Sequence, residues 1–292
     1  MNLSIIIPTY NRREHLKILL NQLKEQKLTS GLAIEIIVVS DGSSDGTLEM
    51  LQQEFSNVHI VKGDGKWWYT KSMNEGFKYA ESLEPDFVLT MNDDIEVNPE
   101  YISKLLLAYK SVESGSIIGS LSLSHNQPHK VTNSGNRMKN KLLGVYKHHL
   151  PFMSVQKIEE LSGIKDTLTL PGRGILIPFK TLKTLNYFDE LFVQYHSDGD
   201  FCLRAKGKGY KVYVSWDAIV FSHIGLTSSS SSFKKQTFKN FVNTFFDIHS
   251  RNYLPARTVF VWRHHTKWAM LFVLFFGIVL NFKNFIFKKK ME

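Results

Sequence analysis

Four short apolar runs alternate with helical patterns over the first 110 residues, and this alternation constrains the fold most strongly. The apolar runs are rich in β-branched residues, which is typical of buried parallel strands. The strands are predicted at Leu3–Ile7, Ile34–Val39, Val58–Val61 and Asp86–Met91, and the helices at Asn11–Lys27, Ser44–Phe55, Trp67–Ser82 and Pro99–Lys110. We therefore expect an α/β fold with a mostly parallel central sheet flanked by helices.

The rest of the chain is less regular up to a run of five serines at 228–232. Further strands are predicted at Ile117–Leu123, Gly174–Pro178, Lys211–Val214 and Ile219–Phe221, and a helix at Asp198–Gly209. A serine run is typical of a flexible linker. We therefore divide the chain into an α/β domain at 1–227, a linker at 228–232 and a C-terminal tail at 233–292.

The tail carries all of the excess positive charge. Residues 1–232 contain 25 basic and 25 acidic residues, whereas residues 233–292 contain 11 basic residues and only Asp247 and Glu292 as acids. A basic segment that is also rich in aromatic residues is typical of proteins that bind nucleic acid or an anionic membrane. Trp268–Leu280 has no polar side chain, and such a run offers no contacts to phosphates. We therefore expect membrane association and no nucleic-acid partner.

As a helix, the apolar run would be about 20 Å long, which is shorter than the hydrocarbon core of about 30 Å. An interfacial or partly inserted helix is the interpretation we favour, and a spanning helix or a buried, oligomer-forming helix remains an alternative. The sequence leaves homodimer formation open. The N-terminus has no basic, apolar leader, and the single cysteine, Cys202, excludes an intrachain disulfide. We expect a peripheral or monotopic protein on the cytoplasmic face of the cell (inner) membrane.

Polar residues follow the predicted strands at the edge where α/β sheets bind ligands. The first loop contains Pro8, Thr9, Tyr10 and Asn11, and Asp41 follows the second strand. Asp41 either belongs to a capped turn or points at the base or ribose of a nucleotide. The fourth strand is followed by Asn92, Asp93 and Asp94, which form either a solvated turn or a Mg²⁺ or Mn²⁺ site that holds a diphosphate.

Other candidate residues lie later in the chain. Asp198 comes near the start of a helix, where a carboxylate stays ionised and can act as a general base. Asp200 is either a substrate contact or a structural partner of Arg204 one helical turn away. His223 is a lone histidine after a strand. Candidates for close approach to a substrate or for stacking on it are Trp67, Trp68, Gly172, Arg173 and Gly174.

The order of these motifs along residues 1–225 resembles the family 2 glycosyltransferases, which have the Rossmann-like GT-A fold. The shared motifs are PTYNR, SDGSSDGT, NDD, GRG, SDGDFCLR and SHIG. The resemblance implies an inverting, metal-dependent transfer from a nucleotide-diphosphate sugar to a saccharide or lipid-linked saccharide acceptor in surface glycan synthesis. The adjacent tryptophans resemble a rhamnosyltransferase-like subgroup.

The resemblance also implies roles for individual residues. Asp41 would contact the nucleobase, and Thr9 would lie in the same pocket. Asp94 would bind the metal with His223 completing its site, and Asp198 would be the catalytic base. Lys71 and Asn74 match the family's stretch after the third strand, with Lys71 serving the phosphates.

Three positions depart from the family pattern: Asn92, Ser197 and Met73 stand where relatives have an aspartate, a glutamate and an arginine. These departures motivate the alternative of a catalytically decayed, membrane-bound scaffold.

Overall fold

The computed structural model describes residues 1–140, 145–150, 160–223 and 237–289. The strands are β1 Asn2–Thr9, β2 Ala33–Asp41, β3 Val58–Gly63, β4 Phe87–Thr90, β5 Ile95–Val97, β6 Ile117–Ser124, β7 Val131–Asn133, β8 Asn136–Asn140, β9 Val145–His148, β10 Ile164–Asp166, β11 Ile175–Pro178 and β12 Val212–Ser222. The helices are α1 Arg13–Lys24, α2 Thr47–Glu54, α3 Trp68–Glu81, α4 Tyr101–Lys110, α5 Phe179–Thr184, α6 Ser197–Gly207, α7 Phe238–Asn243, α8 Leu254–His264 and α9 Lys267–Lys289. The predicted linker at 228–232 and the domain boundary before it lie outside the described residues.

The central sheet has the strand order β10-β12-β6-β11-β4-β1-β2-β3. Strands β4, β1, β2 and β3 are parallel, as the βαβα alternation predicts, and β12 is parallel to β6. Strand β11 is antiparallel to both of its neighbours and joins the two parallel groups. The fold is therefore the predicted α/β arrangement, with a mostly parallel sheet flanked by helices.

Two differences between the predicted and the observed elements have local reasons. The sequence predicts separate strands at Lys211–Val214 and Ile219–Phe221, but β12 is one strand whose register shifts between Ser215 and Ile219. The predicted first helix begins two residues later than expected, at Arg13. Asn11 has a φ of 51°, which lies in the left-handed region and cannot continue an α-helix.

Helices cover both faces of the sheet. On one face, α1 buries Leu16, Leu19, Leu20 and Leu23, which recur at helical spacing. On the other face, α3 packs so closely that a Cβ on Gly76 would lie 2.4 Å from Ile6 Cγ2. Since β1, β2 and β4 run in parallel, the loops that follow them meet at one edge of the sheet.

Helix α8 of the tail packs against this domain. Asp200 in α6 is fully buried and accepts hydrogen bonds from Arg204 Nε at 2.6 Å and from His264 Nε2 at 2.8 Å. Arg263 Nη1 lies 3.4 Å from the same carboxylate. The tail also has a small core of its own, in which Phe241 and Phe245 pack on Phe285.

Asp200 therefore has the structural role that its spacing from Arg204 predicts, and it also anchors α8. Burial raises the pKa of the Asp200 carboxyl, but the hydrogen bonds from His264 and Arg204 outweigh this effect and hold the pKa below its usual value. None of the described helices is both long enough and apolar enough to cross a bilayer.

We expect Asp200→Asn to lower the free energy of unfolding by about 3 kcal/mol, because it removes the fully buried carboxylate charge that Arg204, Arg263 and His264 share. This exceeds the few tenths of a kcal/mol expected for an exposed pair at this helical spacing. The difference should be measurable by urea denaturation at neutral pH. It should disappear as the pH falls through the folded-state pKa of Asp200, since the carboxyl is then protonated in both states.

Asp166→Asn is the matched control. Asp166 pairs with Lys206 of the same helix at 2.8 Å, but its side chain is 61% exposed. Exposed pairs contribute about 0–1 kcal/mol. Equal losses from the two substitutions would contradict an anchoring role for Asp200.

Candidate active site

A cavity of about 420 Å³ opens at the sheet edge where the loops after β1, β2 and β4 meet. It is lined by most of the residues that the sequence singles out. These are Pro8, Thr9, Tyr10, Asp41, Trp68, Asn92, Asp93, Asp94, Gly172, Arg173 and Asp198. These residues come from segments that are up to 190 residues apart in sequence.

Asp41 organises the loop that forms one wall of the cavity. Its Oδ1 accepts a hydrogen bond from the Gly65 amide at 2.8 Å, and its Oδ2 accepts two from the Trp67 and Trp68 amides at 2.9 Å. Trp68 has a φ of 58°, a strained value for a large side chain. The hydrogen bonds to Asp41 hold the backbone in this conformation and turn Trp68 toward the cavity.

The two acidic residues after β4 are both buried beside Arg12. Asp93 accepts hydrogen bonds from Thr9 Oγ1 and from Arg12 Nη1, both at 2.8 Å. Arg12 Nη1 also lies 3.5 Å from Asp94 Oδ2. Burial raises the pKa of Asp93 to about 6, although the charge of Arg12 opposes this shift. The guanidinium thus offsets part of the repulsion between two adjacent carboxylates.

Arg12 is a cavity residue that the sequence reasoning missed. Arg12 is the last residue of the PTYNR motif in the first loop, but the motif alone gave it no role. The sequence contains a signal for this position. If β1 and β4 are neighbours in the sheet, a basic residue after β1 lies close to the two acidic residues after β4. β1 and β4 do pair directly, with Ile6 opposite Thr90.

Two oxygen atoms in this group could bind a cation. Asp94 Oδ1 and Asn92 Oδ1 are buried, and neither has a hydrogen-bond partner among the described residues. Arg173 Nε lies 3.9 Å from Asp94 Oδ1. Carboxylate and amide oxygens are the ligands that Mg²⁺ and Mn²⁺ prefer, so the residues present fit a divalent ion here.

Asp198 lies in the first turn of α6 and faces the cavity. Its Oδ2 accepts a hydrogen bond from the Gly172 amide at 2.8 Å, and its Oδ1 accepts one from the Gly199 amide at 2.8 Å. These two backbone donors fix the orientation of the carboxylate at the cavity. Gly172 is in close contact with the buried Tyr69 hydroxyl, because a Cβ at this position would overlap it. The GRG segment therefore positions Asp198.

Several predicted site residues lie outside the cavity lining. Asn74 is buried in α3, where it bonds to the Phe188 backbone and to Glu190, and therefore holds a loop. Lys71 lies over the Trp67 ring at 5.2 Å. Met73 is completely buried in the core, so its side chain does not reach the cavity.

The remaining predicted residues also have structural contacts. Asn11 Oδ1 accepts a hydrogen bond from the Ser44 amide at 2.7 Å and so joins the first two loops. Gly174 lies so close to Ser120 that a Cβ would be 2.6 Å from its hydroxyl. The imidazole of His223 bonds to Glu96 Oε1 at 2.8 Å, and only its backbone amide reaches Asp94, at the carbonyl oxygen.

The tail contributes a cavity residue that no sequence pattern indicated. Arg251 lines the cavity, and its guanidinium lies 5.6 Å from the centre of the Tyr195 ring. The Arg251 carbonyl lies 3.1 Å from His196 Nε2. Nearby, His249 stacks on Trp68 with ring centres 3.6 Å apart. The segment between α7 and α8 thus packs against the loop that Asp41 organises.

Sequence comparisons identify the family. The model for glycosyl transferase family 2 matches residues 4–154, just over half of the chain. A dolichol-phosphate mannosyltransferase of Pyrococcus furiosus is 35% identical over 113 residues, which cover 38% of this chain and 31% of the relative. An undecaprenyl-phosphate 4-deoxy-4-formamido-L-arabinose transferase of Klebsiella pneumoniae is 28% identical over 144 residues, which cover 48% of this chain and 42% of the relative. The aligned part is thus well under half of each curated relative.

Solved structures show the same fold. GalNAc-T7 with UDP, GalNAc and Mn²⁺ has a TM-score of 0.61 at 13% identity, covering 76% of this chain and 44% of that one. S. aureus TarS with UDP-GlcNAc has a TM-score of 0.52 at 18% identity, covering 90% of this chain and 71% of that one. With a family model that matches just over half of the chain and the α/β architecture of the solved structures, the chain belongs to glycosyl transferase family 2 and has the GT-A fold.

Proposed function

We propose that the chain is an inverting glycosyltransferase that moves a sugar from a nucleotide-diphosphate donor to a saccharide or lipid-linked saccharide acceptor. The observation that carries the proposal is the convergence of Asp94, Arg251 and Asp198 on one cavity. The first two would hold an anionic diphosphate, directly or through a cation, and the third would activate the acceptor. The cavity volume of about 420 Å³ is within the range of small-molecule sites.

The names of similar proteins support the donor and acceptor classes. The relatives from Pyrococcus and Klebsiella are named for dolichol phosphate and undecaprenyl phosphate, which are lipid phosphates. The solved neighbours contain UDP or UDP-GlcNAc. We take a role in surface glycan synthesis as the corresponding proposal for this chain.

Asp94 is the proposed anionic ligand of a Mg²⁺ or Mn²⁺ ion, with Asn92 beside it as a neutral ligand. The ion would neutralise the donor diphosphate and so stabilise the departing nucleotide. Mn²⁺ in the GalNAc-T7 structure supports a divalent ion in this fold. Asp198 would remove a proton from the acceptor hydroxyl, which then attacks the anomeric carbon from the side opposite the leaving group.

The tail is the proposed membrane-binding element. Helix α9 presents Trp268, Leu271, Phe275 and Leu280 to solvent, with 56–83% of each side chain exposed. The tail has a net charge of +9. Exposed aromatic and apolar side chains on a basic helix are typical of helices that lie in the interface of anionic membranes. A lipid-linked acceptor would then be presented at the same surface.

Asp198→Asn should lower transfer by about 10²–10⁴-fold, the usual range for loss of a general base, while the donor still binds. The substitution keeps the shape of the side chain but removes its ability to accept a proton. Donor affinity is measured by calorimetry and transfer by release of nucleoside diphosphate. Asp217→Asn, at an exposed position of β12, is the control. Unchanged transfer by the Asp198 variant would exclude this residue as the base.

Asp94→Ala should reduce turnover by about 10²–10³-fold, the loss that follows removal of one electrostatic stabiliser of a transition state. A chelator should reduce the parent equally, and added Mn²⁺ or Mg²⁺ should restore the parent but not the variant. Full activity of the parent in chelator would show that Asp94 has a structural role instead. A scaffold without activity would release no nucleotide from any donor under any of these conditions.

Arg251→Ala should weaken binding of a nucleoside diphosphate by about tenfold or more, since a hydrogen bond to a charged group contributes about 1.5–3 kcal/mol. Binding of the matching nucleoside should be unchanged, because it carries no phosphate. Arg137→Ala, on an exposed hairpin strand, is the matched control. Equal weakening of nucleoside and diphosphate would mean that the tail shapes the cavity without contacting the phosphates.

The double variant Trp268→Asp, Phe275→Asp should lose cosedimentation with vesicles that contain anionic phospholipid. This change is preferable to deleting the tail, which would also remove Arg251 and His264. Leu107→Asp replaces an apolar residue of α4 that is 68% exposed, and should bind vesicles like the parent. Vesicle binding that survives the double variant would contradict an interfacial role for α9.

A further inference from the structure

Two histidines and a glutamate meet at the sheet edge, outside the residues that line the cavity. Glu96 Oε1 lies 2.8 Å from His223 Nε2 and 3.0 Å from His125 Nε2. The two imidazole rings stack with centres 4.1 Å apart. One ligand atom from each residue lies within 4.8 Å of the other two, so the three atoms surround a common point.

The backbone fixes the three residues relative to one another. Glu96 lies in β5 opposite Phe221 of β12, and His223 directly follows β12. His125 directly follows β6, and its amide donates to the Ser222 carbonyl at 3.0 Å. The three side chains therefore come from three adjacent strands of one sheet, which is the rigid support that a metal site requires.

Neighbouring side chains orient the glutamate and leave the site accessible. Gln22 Nε2 donates to Glu96 Oε2 at 2.9 Å, so the other carboxylate oxygen is directed at the histidines. Such an outer partner is typical of metal-binding carboxylates. The side chains of Glu96, His125 and His223 are 21%, 40% and 16% exposed, which gives an ion a path from solvent.

We propose that Glu96, His125 and His223 form a binding site for a Zn²⁺-type ion, separate from the Mg²⁺ or Mn²⁺ site at Asp94. Two imidazole nitrogens and one carboxylate oxygen are a ligand set that Zn²⁺ favours, and they leave its fourth position to water. The set contains more nitrogen than Mg²⁺ prefers. The centre of the His15 ring lies 4.9 Å from that of His223.

The proposal changes the assignment of His223. The family resemblance places this histidine on the same ion as Asp94, but its imidazole is directed at Glu96 and His125. Its backbone amide donates to the Asp94 carbonyl at 2.9 Å. A bound ion would tie together β5, β6 and β12 and so brace the loop that carries Asp94. The inference goes beyond glycosyl transfer and does not depend on it.

Calorimetric titration of the metal-free full chain with Zn²⁺ tests the site. We expect one Zn²⁺ to bind per chain, with tetrahedral d–d absorption when Co²⁺ replaces it. His125→Ala should weaken the affinity by at least about 10–100-fold, the range that even outer-shell changes cause. Glu96→Gln should weaken Zn²⁺ affinity by a similar factor, and it conserves the shape of the side chain. This variant tests the proposal if His125→Ala fails to fold.

Two control variants make the outcome decisive. Asp94→Asn removes the charge of the proposed diphosphate metal site and should leave Zn²⁺ affinity unchanged. His129→Ala removes an exposed histidine from the same loop as His125 and should also have no effect. The proposal is overturned if the parent binds no Zn²⁺, if Asp94→Asn abolishes binding, or if His129→Ala weakens it as much as His125→Ala. Loss of Zn²⁺ binding in Asp94→Asn would place the ion at Asp94 instead, and the other two results leave the proposed transfer activity untouched.

Discussion

The burial of three carboxylates around one cavity is the constraint on which the rest of this structure depends. Burying a carboxylate costs folding free energy unless the group is paired or hydrogen-bonded, and each of the three carboxylates has a different set of partners. Asp41 accepts hydrogen bonds from three backbone amides. Asp93 accepts hydrogen bonds from the Thr9 hydroxyl and the Arg12 guanidinium, and the same guanidinium lies beside Asp94. Only Asp94 keeps a buried oxygen without a hydrogen-bond partner among the described residues, so the remaining capacity to bind a cation is concentrated there.

Local patterns predicted the framework because parallel strands and their helices are encoded locally. Apolar spacing placed Leu16, Leu19, Leu20 and Leu23 on the buried face of α1, and strand ends placed Asp41 and Asp94 at one edge. Asp198 was found in the same way, since the first turn of α6 follows directly from the sequence. What local patterns could not predict is whether a residue turns toward the cavity. Asn74 and Lys71 match family motifs, yet their contacts in this chain are with a loop backbone and with Trp67.

The contacts between the tail and the domain could not be predicted from the sequence. Its charge and apolar run predicted a membrane-binding element, but they carried no information about packing on the domain. Arg251 comes from a segment about 50 residues after Asp198, and nothing around it in sequence marks a site. Its position depends on tertiary contacts, such as the stacking of His249 on Trp68 and the bond from His264 to buried Asp200. These contacts make the tail part of the cavity wall.

Hydrogen–deuterium exchange with and without a nucleoside diphosphate and Mn²⁺ tests this account most directly. The account holds that the domain and the tail together form the donor site. With the correct nucleotide among UDP, GDP and dTDP, exchange should slow at 8–12, 64–69 and 92–94, and also at 249–252 in the tail. The account would be contradicted if none of the three nucleotides slowed exchange. It would also be contradicted if exchange slowed in neither the 92–94 loop nor the 249–252 segment.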